Sequence, residues 1–496
     1  MSGLEQKLYQ LIISRLDGDN ISYPSYQDRI LSLVSSGIGG FIVFGGKKEE
    51  VRAFINRIQS LTSHPLFIAS DIERGVGQQI RGTTSFPSAM AIAAAIDRSR
   101  TEDITQLESM LKAVSDEASD VGINMPLIPV LDVNTNPDNP IICTRAFSDD
   151  IEKVAWFGSH FIESIESSGL ISCAKHFPGH GDTAIDSHIS LPVISKSAEV
   201  LWEEDMSPFR TAIKSGVSSI MVGHLSVPAI DSSPASLSEK VITNVLRNKL
   251  GFKGLIITDA LNMDALKGRG NIYAECLNAG VDILLHPADA DSAVNELIGT
   301  VESGGLSEDT VNTAHERVLR FKSKLQFNNK PVPEYNEHDK TASLIHANSI
   351  TLVKNTSPVL PLVNMQETSL VFAADENDFD ISPLKTHIEQ SFPLKECNDS
   401  AQRETTIFAL FTNVAAWRGS SGIGGEDIRR IKNIIKKSRN SVIIAFGSPY
   451  VLNHFEDANV LIAAYDSGIK AQSSVIRCLR GEIDFQGSLP VTLNFS

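Results

Sequence analysis

The sequence predicts an α/β protein: an N-terminal (β/α)8 TIM-type barrel followed by a smaller α/β/α layered C-terminal domain. Three observations predict it. Short apolar runs bounded by Gly, Pro or Asp recur eight times in the first 290 residues. Longer amphipathic stretches such as "DITQLESMLKAVSDEASDVG" (103–122) separate most of them. Polar residues stand at or just past the C-terminal ends of six runs: Asp71, Asp132, Lys175-His176, His224, Asp259 and His286. Near-continuous apolar strands alternating with helical patterns indicate a parallel sheet covered by helices. In a barrel of that kind, sites assemble at the C-terminal rim of the strands.

The eight runs are, in order, "YQLIISRL" (9–16), "GGFIVFGG" (39–46), "PLFIASD" (65–71), "NMPLIPVLDV" (124–133), "LISCAKHF" (170–177), "SSIMVGHL" (218–225), "GLIITDAL" (254–261) and "VDILLHP" (281–287). The pattern of the first suits a helix as well as a strand. "SEDTVNTAHERVLRFKSKL" (307–325) starts with a Ser cap and continues with helical periodicity. The polar stretch 326–341, with two prolines, reads as a linker. Beyond it, five further apolar runs between 349 and 465 alternate with helical patterns. The expected domains are therefore 1–325, a linker at 326–341, and 342–496.

Composition narrows the function. Sixty acidic residues against 44 basic give a net charge of −16, so a polyanion is repelled on average and no nucleic-acid partner is expected. The five cysteines are far apart and form no CxxC pair, which indicates neither a disulfide framework nor a zinc knuckle. No apolar run approaches the roughly 18 residues that span a bilayer, so no membrane partner is expected. The start "MSGLEQKLYQ" lacks the pattern of a secretion signal, and a cytoplasmic location is expected.

The densest chemistry lies in "KHFPGHGDTAIDSH" (175–188). His176 and His180 have the four-residue spacing of metal ligands on a helix, but Pro178 and Gly179 lie between them and disfavour a helix, so no metal is expected. Asp186 and His188 are two apart, and in an extended segment they point to the same side. Asp186 then holds one imidazole nitrogen of His188 and leaves the other free to donate a proton; a local contact in a surface loop is the alternative. Asp259 follows the run Leu255–Thr258 directly, as a nucleophile, a hydroxyl acceptor, or a cap for a helix starting at "DALNMDAL". Asp71 and Lys175 converging on one cavity suit recognition of sugar hydroxyls; an internal salt bridge is the bland reading.

These residues resemble a known pattern. "KHFPGHGDTAIDSHISLP" (175–192) resembles the signature of glycoside hydrolase family 3, in the β-N-acetylglucosaminidase branch whose acid/base is histidine. The blocks at 71–95, 129–147, 233–242, 251–263, 347–362 and 485–493 are similar to family blocks in the same order. The resemblance implies a retaining exo-β-N-acetylglucosaminidase with Asp259 as nucleophile and His188 as acid/base, oriented by Asp186. It also implies that Asp71, Arg145, Lys175 and His176 bind the sugar and that His224 lines the pocket, without a cofactor. "DIERGVGQQIR" (71–81) departs from the commoner form of the branch, and either Arg74 or Arg81 is the arginine that meets substrate. The expected partner is a small-molecule or oligosaccharide substrate derived from muropeptides or chitin, and the protein is expected as a monomer or homodimer. A β-glucosidase, a phosphorylase using phosphate as acceptor, and an inactive sugar-binding protein are the alternatives.

Overall fold

The structure, a computed structural model, describes residues 3–183, 191–325, 331–356, 359–362, 368–375, 379–391, 394–395, 403–412 and 422–495. It divides into two compact units. One comprises Met1–Ser85, Glu108–Val133 and Ile151–Asp339; the other comprises Phe86–Leu107, Asn134–Asp150 and Lys340–Ser496.

Among the described residues, the first unit carries eight strands, one from each expected run. They are β1 (Ile12–Asp17), β2 (Gly40–Phe44), β3 (Phe67–Ser70), β4 (Met125–Pro126), β5 (Cys173–Phe177), β6 (Ser219–Val222), β7 (Leu255–Thr258) and β8 (Leu284–Leu285). All pairings are parallel, in the orders β4-β3-β2-β1-β8 and β5-β6-β7. Because β1 pairs with both β2 and β8, the sheet curls back on itself. Single parallel bridges, Val130–Lys175 and Ile257–Ile283, join the two sheets. β3, β5, β6 and β7 are buried along their whole length, which explains the mainly apolar runs of β3, β6 and β7; β5 interrupts its own with Lys175 and His176.

The ambiguous first run resolves into both elements: a helix (Gly3–Gln10) ends and β1 begins at Ile12. β4 is short because Pro126 and Pro129 have no N–H to give a ladder. The helix Glu308–Lys322 has the expected cap, with the Ser307 side chain accepting the Thr310 N–H at 3.0 Å.

Residues 326–330 lie outside the described ones, and a helix already starts at Tyr335. The Tyr335 hydroxyl donates to Asp120 at 2.7 Å, and the His338 imidazole meets Glu117 at 2.8 Å. Polar side chains with fixed partners hold the start of this helix, and composition alone does not reveal such partners.

The second unit holds a six-stranded sheet of β9 (Thr351–Asn355), β10 (Thr368–Ala374), β11 (Leu394–Lys395), β12 (Arg403–Phe411), β13 (Ser438–Phe446) and β14 (Val460–Ala463). Its order is β11-β10-β12-β13-β14-β9, parallel except for β9 against β14. Alternate residues of the central strands enter two separate cores. Phe408, Leu410, Ile443 and Ala445 pack with helix residues Ile431 and Ile434, while Ile407, Ala409, Val442 and Ile444 pack with Leu384, Ile388, Val475 and Leu479. Met90, Ala91 and Cys143 belong to the first of these cores, which groups 86–107 and 134–150 with this unit.

Candidate active site

Asp71 follows β3, and Lys175 stands in β5. The Lys175 ammonium is buried, and burial of a charge is tolerated only with partners. Its partners include Asp71 Oδ1 and Glu73 Oε1, each at 2.7 Å. Glu73 is the more buried carboxylate, with its side chain 10% exposed against 31% for Asp71, so Asp71 is the one with a face left for another molecule. The salt bridge fixes Lys175 and leaves Asp71 partly open.

His176 is the next residue on β5. Its Nδ1–H donates to Asp132 Oδ2 at 2.7 Å, and its backbone N–H donates to Oδ1 at 3.2 Å. Asp132 Oδ1 also accepts the His180 N–H at 2.7 Å. Burial of Asp132 alone would push its carboxyl up. His176, by charge and hydrogen bond, and the His180 backbone N–H outweigh burial and hold it below the usual carboxylate range. With Nδ1 committed, His176 presents Nε2. His180 is different: its ring is buried, Nδ1 meets Thr183 Oγ1 at 2.7 Å, and burial lowers its pKa to about 4. It is a neutral structural imidazole.

Asp259 follows β7, where its N–H donates to the Val222 carbonyl of β6 at 3.0 Å. No helix begins there. The next helical turn is Asp264–Leu266, preceded by Met263, so Asp259 caps none. Burial pushes the Cys173 thiol of β5 up to about 12; Lys175 draws it down, while Asp71 and Asp259 raise it.

His224 is fully buried. Nδ1 accepts from the Ser236 hydroxyl at 2.7 Å, and Nε2–H donates to the Ala260 carbonyl at 3.2 Å. Both ring nitrogens meet protein, so His224 fixes the residue after Asp259. His286, after β8, is also kept neutral, its pKa lowered to about 4 by burial and by Arg15.

Asp186 and His188 lie outside the described residues. The chain enters their segment through Gly181, where an added Cβ would stand 1.7 Å from the Val133 carbonyl oxygen, so only glycine fits. Arg145 belongs to the second unit, in a turn (Cys143–Arg145) where its Nη1 donates to the Ile141 carbonyl at 3.0 Å. Of the two other arginines, Arg81 is exposed and paired with Asp19 at 2.5 Å, and Arg74 is half-buried.

Residues 3–321 match the model of the glycosyl hydrolase family 3 N-terminal domain. The chain belongs to that family. As a family 3 glycoside hydrolase it is 28% identical to β-hexosaminidase A of Pseudoalteromonas piscicida, over 92% of this chain and 89% of that protein. It is 26% identical to a β-N-acetylglucosaminidase/β-glucosidase of Cellulomonas fimi, over 99% of this chain and 93% of the relative. A solved family 3 β-N-acetylglucosaminidase from Paenibacillus sp. strain FPU-7 superposes with a TM-score of 0.84 at 25% identity, with both chains fully covered.

Two residues of this family 3 site escaped the sequence reading. Asp132 was visible only as a polar strand end, without a role. Glu73 was missed, although it stands two residues from Asp71, the same i, i+2 relation that paired Asp186 with His188.

Proposed function

We propose that the protein is a retaining exo-β-N-acetylglucosaminidase, acting at the non-reducing ends of muropeptide or chitin fragments. The observation that carries the reading is that Lys175 pairs with Asp71, beside the oriented His176, while Asp259 directly follows β7 of the sheet that also holds β5. A buried ammonium, an oriented imidazole and a half-exposed carboxylate suit a neutral polyhydroxylated ring. The names of the relatives support the sugar. The curled sheet, its two joining bridges and the likeness to the Paenibacillus enzyme support a closed eight-stranded barrel. The helices on both faces of the six-stranded sheet support a layered second domain.

In the mechanism, an Asp259 oxygen attacks the anomeric carbon while His188 donates its proton to the departing glycosidic oxygen. A glycosyl ester forms and the aglycone leaves as an alcohol. His188, now neutral, takes a proton from water as the water attacks the same carbon and releases Asp259. Asp186 keeps the imidazole in the tautomer both steps need. Lys175, Asp71 and His176 hold the ring hydroxyls. Glu73 and Asp132 act through Lys175 and His176 as positioning residues.

The test compares turnover of p-nitrophenyl β-GlcNAc and p-nitrophenyl β-glucoside, with and without phosphate. Faster release from the GlcNAc substrate, yielding free sugar, is expected. A clear preference for the glucoside, or sugar 1-phosphate as product, would overturn the corresponding part of the proposal. Asp259→Ala should lose at least about 10³-fold in turnover with an unchanged circular dichroism spectrum.

A further inference from the structure

At the opposite, N-terminal ends of β7 and β8, an open cavity of about 610 Å³ lies between the helices Lys240–Lys249, Ile272–Ala279 and Glu308–Lys322. Its wall contains Arg247, Lys253, Arg317 and Arg320, against one carboxylate at its exposed rim, Asp309. In a chain with a net charge of −16, such a local excess of positive charge calls for a counter-charge.

The wall itself supplies one. Asp282, fully buried behind the cavity, pairs with Arg247 at 2.5 Å and also with Arg317. Arg247 is further spent on the carbonyls of Phe252 and Gly254. The rest is not neutralised. A guanidinium has five N–H donors. Arg317 uses one nitrogen on Asp282, and Arg320 uses one on the Lys253 carbonyl. Both keep donors over, and the Lys253 ammonium makes no hydrogen bond or ion pair with any of the described residues.

We propose that this cavity binds a phosphate group, free or as the monoester of a sugar. Guanidinium forks match phosphate oxygens two at a time, and a lysine adds a point charge. The concave shape favours a compact anion over an extended polymer. The volume exceeds the needs of inorganic phosphate and lies within the roughly 300–1,000 Å³ of small-molecule sites, and Asn248 and Thr313 on the wall suit sugar hydroxyls. β7 runs from this cavity to Asp259 at its other end, so the two sites are separate.

Calorimetric titration of the full chain with glucose 6-phosphate, inorganic phosphate and glucose, at constant ionic strength, tests this. Saturable binding of the ester, the inorganic ion or both is expected, with none for glucose; the lower Kd identifies the source of the phosphate. Lys253→Gln combined with Arg320→Gln should raise that Kd by about tenfold or more, since charge-assisted bonds are lost. Both side chains are exposed, so hydrolysis of p-nitrophenyl β-GlcNAc without phosphate should be unchanged. Absence of saturable binding, binding that survives the double substitution, or displacement by GlcNAc would each overturn the proposal. None of these outcomes depends on which sugar the catalytic site cleaves.

Discussion

Asp132 holds His176 twice, through Nδ1 at 2.7 Å and through the backbone N–H at 3.2 Å. The carboxylate receives only donors, with the His180 N–H as a third. An amide in its place would turn an NH2 group toward at least one of them. Asp132→Asn should lower kcat/KM by about 10–100-fold, because a hydrogen bond to a charged group contributes about 1.5–3 kcal/mol. The folded carboxyl titrates below its ordinary value of 3.8, so its contribution to stability is present above that value. It is lost as pH falls through the lower folded value. Acid unfolding of the wild type should therefore be steep below about pH 4 and shallower in the variant, as thermal melts at stepped pH will read.

Glu73→Gln tests whether Lys175 needs both carboxylates. The substitution removes one carboxylate from a buried ammonium while Asp71 stays. A loss of about 1–3 kcal/mol in urea unfolding is expected, with a rise in KM larger than the fall in kcat. Lys175→Met should cost more, about 3–5 kcal/mol, because it leaves two carboxylates facing each other without a cation. If Glu73→Gln alters stability but neither kinetic constant, Glu73 supports the fold only.

Lys322 offers a third test, far from the sugar. Its side chain is buried, its Nζ donates to Gln10 Oε1 at 2.7 Å, and burial lowers its pKa to about 7. A base depressed from 10.5 destabilises the fold progressively as pH falls from the unfolded value to the folded one. Lys322→Met should therefore stabilise the protein near pH 7. The gain should be about 1–3 kcal/mol, after subtracting the cost of leaving Gln10 without its donor. Above the unfolded value the advantage should vanish. A variant less stable than wild type at neutral pH would show that the Gln10 contact outweighs the buried charge.

How much of this was legible depends on whether the determinant was local. Strands such as Leu255–Thr258 are buried on every residue, so they write themselves as unbroken apolar runs, and the residues at their ends follow. Glu73 and Asp132 act through partners about 100 and 44 positions away, and no local pattern marks such pairs. The grouping of Met90 and Cys143 with Phe408 is equally non-local. The antiparallel direction of β9 was hidden too, since "SITLVKN" reads the same whichever way it pairs. Proline shortened β4 to two residues inside a run of ten, because a run reports burial and not hydrogen bonding.

The last prediction concerns His188, the acid/base proposed from "DTAIDSH". Proton donation matters in proportion to how poor the leaving group is, and it contributes about 10²–10⁴-fold for an unactivated one. His188→Ala should therefore lose about that much on a GlcNAc disaccharide and far less on 2,4-dinitrophenyl β-GlcNAc. Asp259→Ala should lose activity on both, because without the nucleophile no leaving group helps. Comparing the two variants on the two substrates separates the roles. Equal losses from His188→Ala on both substrates would mean that the imidazole binds sugar instead of moving a proton. The pH profile adds a second reading. An imidazole acid must be protonated for the first step, so kcat/KM on the disaccharide should fall as pH rises through its pKa, near 6.5 when unperturbed. That alkaline limb should be absent in His188→Ala.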